Sequence, residues 1–528
     1  MNPLKLVFAM EYVLQGLANP FQGITYQPFF RHLRYHYGLS EAATQTLFSK
    51  SYLAWSFKPI MGFFIDAFGK TKVILAFLLT LSVGFYLLTP LIDLTYLVFF
   101  HVMFLLSMFL AATDVAVDRA TVVAGEEEAK ASGKSKAATV GLNQAICWAA
   151  IYGTNIFAAV SGGWIAEHVK LDHLLVLLAV VPLVVLLVVM RLPKDKAALI
   201  PLKASVANFW HGLNTGPVLW IILFYFLFHF QPAMGALWTN HLIEDLHFSQ
   251  TQVGIADGAS YFGYFVGVLI FAFLGIRWQD RLGLKRLFKI FILLSIAVNL
   301  TQYLLVEPLF SQVTGRLSAL LPLSITSVRL VYLCLYNFMQ AVFLGVIRMS
   351  TFSLVGAVIP AAAAGSLFAG FMSVANLAYS FSYSTGAWLY DHGLAFGPLR
   401  ALQQHLFGIP ARAGNSMSIN LLILLGSLAY LLSFLAAHML PDKRQTRLGA
   451  EDPAYQLGPT DFKRLGKPVL RQTNRLAILL VILVLVLTYL VLHVEIIPAI
   501  VVSFFSVVFL RRLYLVHLYK QQHRPTIG

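Results

Sequence analysis

The 528-residue chain contains two cysteines, Cys147 and Cys334. Two thiols in separate apolar stretches exclude a disulfide framework and a cysteine-built metal centre. They read as small buried hydrophobes. Charge is equally scarce: Asp, Glu, Lys and Arg make up 12% of the chain, about half of the roughly 25% usual in soluble domains. Enzyme signatures are also missing. There is no Walker-type phosphate loop, so ATP hydrolysed within this chain does not drive its work. There is no H-E-x-x-H and no nucleophile elbow. The sequence implies no enzyme, no metal and no cofactor.

What the chain has in abundance is apolar length. Hydrophobic residues make up 59% and the mean hydropathy is +0.75. A helix needs about 20 apolar residues to cross a bilayer. The runs predict fourteen spans, at 6–30, 46–66, 72–91, 95–118, 138–165, 173–191, 216–239, 253–276, 286–306, 329–348, 363–390, 416–440, 476–494 and 497–515. The expected fold class is an all-α polytopic membrane protein.

A net charge of +15 raises nucleic acid as a partner, and the distribution of charge argues against it. With the N-terminus in the cytoplasm, most Lys and Arg fall in cytoplasmic turns and linkers, among which we count Arg348 at the inner end of its helix. That is the positive-inside pattern with both termini cytoplasmic. The first helix carries Glu11, Gln15 and Asn19 and lacks a small-residue cleavage site, so it reads as a retained span rather than a signal peptide.

The spans divide into an N-terminal six-helix bundle (1–192), a cytoplasmic linker (193–215) and a C-terminal six-helix bundle (216–440). A charged cytoplasmic linker (441–475) and an additional transmembrane hairpin with tail (476–528) follow. Gly62-x3-Asp66-x2-Gly69-Lys70 closes the second helix and resembles the conserved loop of the major facilitator superfamily. Asp280-Arg-Leu-Gly283 echoes it after helix 8, with Gly275 one residue out of register. Glycines let helix ends approach, and an aspartate there caps a helix or pairs with a cation. Arg119 is the expected partner of Asp66. Such a latch would hold the outward-facing state and break during transport; a helix-capping turn with solvated charges is the alternative. The segment 126–136 reads as a solvated loop or a helix extension, and 308–327 as an outer loop with room for a short helix. The terminal hairpin, with its tight turn at Glu495 to Pro498, reads as a peripheral packing or dimer element.

Four segments together narrow the family: Trp55-Ser-Phe-Lys58-Pro59-x2-Gly62, Ala112-Thr-Asp114-Val-Ala-Val-Asp118, Asn143-Gln144-x3-Trp148 with Gly162-Gly163, and Phe228-His-Phe-Gln231-Pro232-Ala-Met-Gly235. This set resembles the folate–biopterin transporter family of the major facilitator superfamily, over roughly residues 1–440. The resemblance implies a folate or pterin substrate and a proton gradient as energy source. Neither follows from composition or periodicity.

The residues themselves support a charged, polar interior. Asp114 and Asp118 share a helix face at i, i+4. They read either as a proton-carrying pair of the kind found in membrane relays, or as a structural pair with Asp118 neutralised by Arg119. Lys58 reads either as a site for an anionic substrate group or as the permanent partner of Asp114. Glu11, in a polar stripe with Gln15 and Asn19, is a second candidate for proton coupling. His229 titrates in the range coupling requires, but a lone membrane histidine also serves as a packing residue. Gln231 and Pro232 interrupt helix 7. Asn337 and Asn376 are polar groups at depth. Tyr379 and Tyr383, one turn apart, and Trp148 can stack on a flat ring; ordinary helix packing is the bland reading of the same aromatics.

The expected function is therefore alternating-access transport of a small organic anion with protons, in a bilayer expected to be a bacterial inner membrane. The alternatives are the same fold with another cargo, such as a siderophore or metabolite anion, or a non-transporting scaffold that docks through the terminal hairpin.

Overall fold

The computed structural model describes residues 3–91, 95–133, 136–193, 201–213, 216–232, 235–275, 278, 281–306, 309–320, 324–358, 364–409, 416–440 and 466–490, with isolated positions between 503 and 518. Among the described residues every regular element is a helix. The N-terminal group is α1 (Pro3–Ala18), α2 (Tyr26–Arg31), α3 (Glu41–Ser56), α4 (Lys58–Phe68), α5 (Thr71–Leu88), α6 (Tyr96–Ser132), α7 (Lys136–His168), α8 (Leu171–Leu178) and α9 (Val180–Val189). A connecting helix α10 (Leu202–Leu213) follows. The C-terminal group is α11 (Gly216–His229), α12 (Gly235–Asn240), α13 (Gln250–Ile270), α14 (Leu284–Leu300), α15 (Leu309–Leu320), α16 (Ile325–Val358), α17 (Ala364–His392), α18 (Gly397–Phe407) and α19 (Ile419–Ala436), with α20 (Lys467–Leu490) beyond it.

Local chemistry sets the ends. Ser40, Thr95 and Ser418 accept backbone N–H groups at the starts of α3, α6 and α19, and Ser249 forms a capping box with Gln252 at the start of α13, so first-turn donors are satisfied before each span enters the apolar layer. Gly69, at φ +65°, ends α4 in the left-handed conformation open to glycine.

Two spans are broken by proline. Proline has no N–H, so the carbonyl four residues earlier loses its helical partner. Pro59 frees the Trp55 carbonyl between α3 and α4, and Asn376 Nδ2 approaches it at 3.5 Å. Pro232 frees the Phe228 carbonyl between α11 and α12, and Gln231 Nε2 donates to it at 3.2 Å.

Eight of the described helical stretches are long and apolar enough to cross a membrane. The two groups meet along two seams, α7 against α13 and α3 against α17. A Cβ on Gly254 would sit 2.5 Å from the Ala159 carbonyl oxygen, and one on Gly163 would overlap the Gln250 carbonyl. The α7–α13 seam thus closes to backbone contact, which only small residues allow.

Several boundaries differ from the sequence expectation. Helix α6 runs to Ser132, so the 4–5 connection is mostly helix extension. The linker at 193–215 contains α10, whose Phe209 packs edge-on to Phe63 at 5.3 Å; its apolar positions recur at helical spacing within a polar stretch. Helix α20 starts at Lys467, inside the charged linker expected to reach 475, because nothing from Lys467 onward breaks a helix once Pro468 occupies its first turn. The Glu495–Pro498 turn and most of the last span lie outside the described residues, as does Asp280 of the second charged turn. Arg348 is not an inner-end residue: α16 continues to Val358, which leaves the guanidinium well inside the helix.

Candidate functional site

A cavity of about 410 Å³ lies between the two groups, within the roughly 300–1,000 Å³ typical of small-molecule sites. Its N-terminal wall is built from Gln15 and Asn19 of α1, Tyr52 and Trp55 of α3, Lys58 of α4, Asp114 of α6, and Trp148 and Tyr152 of α7. The facing wall carries His229 of α11, Asp257, Tyr261 and Tyr264 of α13, Arg348 of α16, and Asn376, Tyr379 and Tyr383 of α17.

On the N-terminal wall the charges are paired off. Lys58 Nζ is in direct contact with Asp114 Oδ2, both side chains being 3% exposed. Gln15 Nε2 donates to the other oxygen, Asp114 Oδ1, at 2.6 Å. The ammonium also lies 4.8 Å from the centre of the Trp55 ring, a cation–π position. One helical turn along α6, Asp118 accepts Tyr12 OH at 3.0 Å and Gln144 Nε2 at 3.0 Å, both on Oδ1. Glu11 Oε1 accepts Thr113 Oγ1 at 2.5 Å. Asp118 Oδ2 and Glu11 Oε2 are enclosed without a hydrogen-bond partner. Arg119 does not neutralise Asp118. It turns the other way, and its Nε donates to Asp66 Oδ1 at 2.9 Å. The α1 stripe is divided as well: Gln15 and Asn19 line the cavity, while Glu11 is fully buried behind it against α6.

On the C-terminal wall Arg348 has no carboxylate within ion-pair distance among the described residues. Its guanidinium donates to Tyr152 OH at 2.7 Å and to Tyr379 OH at 3.2 Å. It lies over the Tyr264 ring at 5.1 Å and the Trp148 ring at 5.6 Å. Tyr152 and Tyr264 stack at 5.3 Å with 10° between their planes, and Tyr52 and Tyr383 stack at 5.4 Å with 21°. A delocalised cation with spare donors and flat rings beside it is suited to an anion attached to a planar group.

The remaining expected residues divide. His229 lines the cavity with Nδ1 on the Tyr225 carbonyl at 2.8 Å and Nε2 unpartnered. Asn376 lines it beside the Trp55 carbonyl. Gln231 does not: its backbone N–H donates to Ser382 Oγ at 2.8 Å and its amide serves the Phe228 carbonyl. Asn337 is also elsewhere, donating to the Ala256 carbonyl at 2.9 Å as a tie between α16 and α13. The expected latch lies at the face carrying the chain's beginning and α10. Asp66, Arg119 and Gly69 meet there, Lys70 sits over Phe68 at 5.9 Å, and Gly62 packs near Val115 and Ser366. Ser205 of α10 also reaches Asp66, at 3.5 Å. Gly283, at φ +76°, precedes α14.

The opposite face is closed by polar contacts between the groups. Glu41 of α3 accepts Asn240 Nδ2 at 2.8 Å and Tyr390 OH at 2.5 Å, and Arg34 Nη2 stands 3.7 Å away. Arg34 Nε also donates to Asn240 Oδ1 at 3.1 Å. Tyr26 OH is 3.2 Å from Thr239 Oγ1, and Thr251 Oγ1 donates to Glu167 at 2.5 Å.

Sequence reasoning missed Asp257 and misplaced Arg348. The signal for Asp257 was available: it is a lone carboxylate inside a membrane-length apolar run, which is a functional mark by default.

The sequence matches the BT1 family over residues 15–452. The chain belongs to that family, the folate–biopterin transporters. No curated protein matches the chain in sequence. Among solved structures this BT1 protein is similar in fold to the nucleoside transporter NupG, at 14% identity and TM-score 0.53, over 83% of this chain and 99% of that one. It is similar to a D-xylose-proton symporter at 14% identity and TM-score 0.55, over 82% and 96%. A bacterial homologue of the iron transporter ferroportin, in an outward-facing state, gives 15% and 0.50, over 83% and 98%. At these identities the likeness is one of fold: the BT1 protein has the major facilitator fold. It is a multi-pass membrane transporter and not an enzyme.

Proposed function

We propose that the protein binds folate or a pterin in the central cavity and carries it across a bacterial inner membrane together with protons, its two six-helix bundles rocking about the site. The observation that carries this reading is Arg348, a cation inside the cavity with tyrosine hydroxyls and aromatic faces around it but, among the described residues, no carboxylate within ion-pair distance. An intramembrane cation is costly; a site that receives an anion with each cycle accounts for its presence. The family supplies the candidate cargo: folate brings an anionic group that suits Arg348, and the flat ring that folate and pterins share suits the stacked tyrosines.

Proton movement falls to the α1–α6 carboxyls. Among the described residues Asp118 and Glu11 have no ion-pair partner of their own, each keeps one oxygen without a hydrogen bond, and both lie near the Lys58–Asp114 pair. Proton exchange there alters the charge next to that pair, and so the balance between states open to one face or the other. The Asp66–Arg119 contact is the latch on the face we assign to the cytoplasm, the side on which the distribution of Lys and Arg would put both termini. Helix α20 leaves Ile478, Leu479 and Leu483 more than half exposed and serves as a lipid-facing addition.

The test is uptake of labelled folate and biopterin into proteoliposomes, with and without an inward proton gradient. Gradient-stimulated uptake suppressed by unlabelled folate is the expected result. Folded protein that takes up neither compound overturns the substrate, and uptake indifferent to the gradient overturns the coupling.

A further inference from the structure

Among the described residues two carboxylates line the cavity, and they differ in what already occupies them. Asp114 holds Lys58 on one oxygen and Gln15 on the other. Asp257, on α13, receives a single long bond, from Gln27 Nε2 to Oδ2 at 3.3 Å, and among the described residues no cation stands within 4 Å of it. It is part of the cavity wall. Removing a carboxylate from water without partners is costly, so a site that keeps one free keeps it for a ligand or a proton.

Its position favours the ligand. Asp257, Tyr261 and Tyr264 fall at i, i+4 and i+7, one face of α13, and all three line the cavity. Seven residues of helix span about 10 Å. Arg348 lies over Tyr264 at the other end of that strip. The wall therefore presents a carboxylate with no cation beside it among the described residues, then phenol rings, then a guanidinium held only by tyrosine hydroxyls and ring faces.

We propose that Asp257 recognises the donor edge of the cargo's ring. This rests on the folate-or-pterin reading above. A 2-amino-4-oxopyrimidine ring carries an exocyclic amino N–H beside a ring N–H, in one plane and pointing the same way. A carboxylate accepts such a pair through both oxygens, as it does a guanidinium. The ring then lies along the tyrosines, and the cargo's own anionic group, where it has one, faces Arg348. The site reads the two ends of the cargo with opposite charges. Loss of either group leaves one end of the cargo desolvated and unpaired, the situation in which polar recognition discriminates most strongly.

The experiment is equilibrium binding to the full chain in lipid nanodiscs, with three probes. Folic acid has both ends, biopterin has the ring alone, and p-aminobenzoylglutamate has the anionic end alone. Asp257→Asn is expected to weaken folic acid and biopterin by roughly tenfold or more and to leave p-aminobenzoylglutamate unchanged. Arg348→Gln is expected to weaken folic acid and p-aminobenzoylglutamate and to spare biopterin. Asp257→Ser supplies the same reading if the Asn variant does not fold. Equal loss of all three probes in the Asp257 variants, or no loss of biopterin, overturns the assignment. So does intact binding combined with loss of gradient dependence in uptake, which would make Asp257 a proton carrier. Wild-type protein that binds none of the three overturns the folate-or-pterin reading itself, whereas wild-type binding without a selective Asp257 effect overturns only this inference.

Discussion

The two walls of the cavity handle charge in opposite ways. On α4 and α6, Lys58 and Asp114 satisfy each other, and Gln15 completes the carboxylate. On α13 and α16, Asp257 and Arg348 both line the wall, Arg348 lying over Tyr264, about two helical turns along α13 from Asp257, and among the described residues neither has an opposite charge within ion-pair distance. A cancelled pair is hard to displace by a neutral or singly charged ligand, because the ligand must break a buried contact before it makes one. A charge held only by neutral groups, as Arg348 is by Tyr152 and Tyr379, gives up less when it turns to a ligand. The difference teaches that a charged residue in a membrane cavity is not by itself a ligand site; what decides is whether another side chain already holds it.

The largest break in this comparison comes from splitting the pair. Lys58→Met or Asp114→Asn leaves one buried charge alone, and each single variant is expected to lose about 3–5 kcal/mol of stability, visible in thermal unfolding in detergent, together with transport. The double variant Lys58→Met/Asp114→Asn is expected to regain most of the stability without regaining transport. Recovery of both would reduce the pair to a structural tie.

Arg348→Gln sharpens the other side. It removes a charge that has no carboxylate within ion-pair distance among the described residues, so unfolding should shift little. Folate affinity is expected to fall by about 2–5 kcal/mol, the range for truncating one partner of a desolvated charge contact. A large stability loss with unchanged affinity would place Arg348 with the structural ties instead.

Gly254→Val tests the seam that brings the walls together. The added side chain meets the Ala159 carbonyl, and overpacking of this kind costs about 1–3 kcal/mol. Spin labels placed across the Glu41 face should report a longer distance in the variant. An unchanged distance would show that the seam yields elsewhere. The smallest effect is expected from Tyr152→Phe, which removes one of the guanidinium's hydrogen-bond acceptors and should cost about 0.5–1.5 kcal/mol of folate affinity while leaving the ring stack and the stability intact.

Much of this arrangement was legible in the sequence. The apolar runs led to the all-helical membrane fold, in which eight described stretches are long and apolar enough to cross a bilayer, and the depth of Lys58 and the i, i+4 aspartates brought attention to the helices whose side chains do meet. Arg348 was misplaced because the segment after it, Met-Ser-Thr-Phe-Ser, contains small hydroxyl residues that look like a span's end. In a buried helix those hydroxyls bond back to their own carbonyls, as Ser350 and Thr351 do to Val346 and Ile347. Gln231 and Asn337 looked like ligand groups because they are polar at depth. Their amides instead go to backbone carbonyls, one of them freed by Pro232, and no periodicity shows which of two uses a polar side chain will take. Asp257 was passed over since its helix carries no motif around it.

The contacts that close the Glu41 face share atoms. Glu41 serves Asn240, Tyr390 and Arg34; Asn240 and Arg34 also serve each other. Each link between half-buried groups is weak on its own, and losing one loosens the geometry of the next. Such a knot does not fray gradually. Contacts that share atoms in this way are expected to form and break together, so substitution of Glu41 alone should open this face about as far as loss of the whole set.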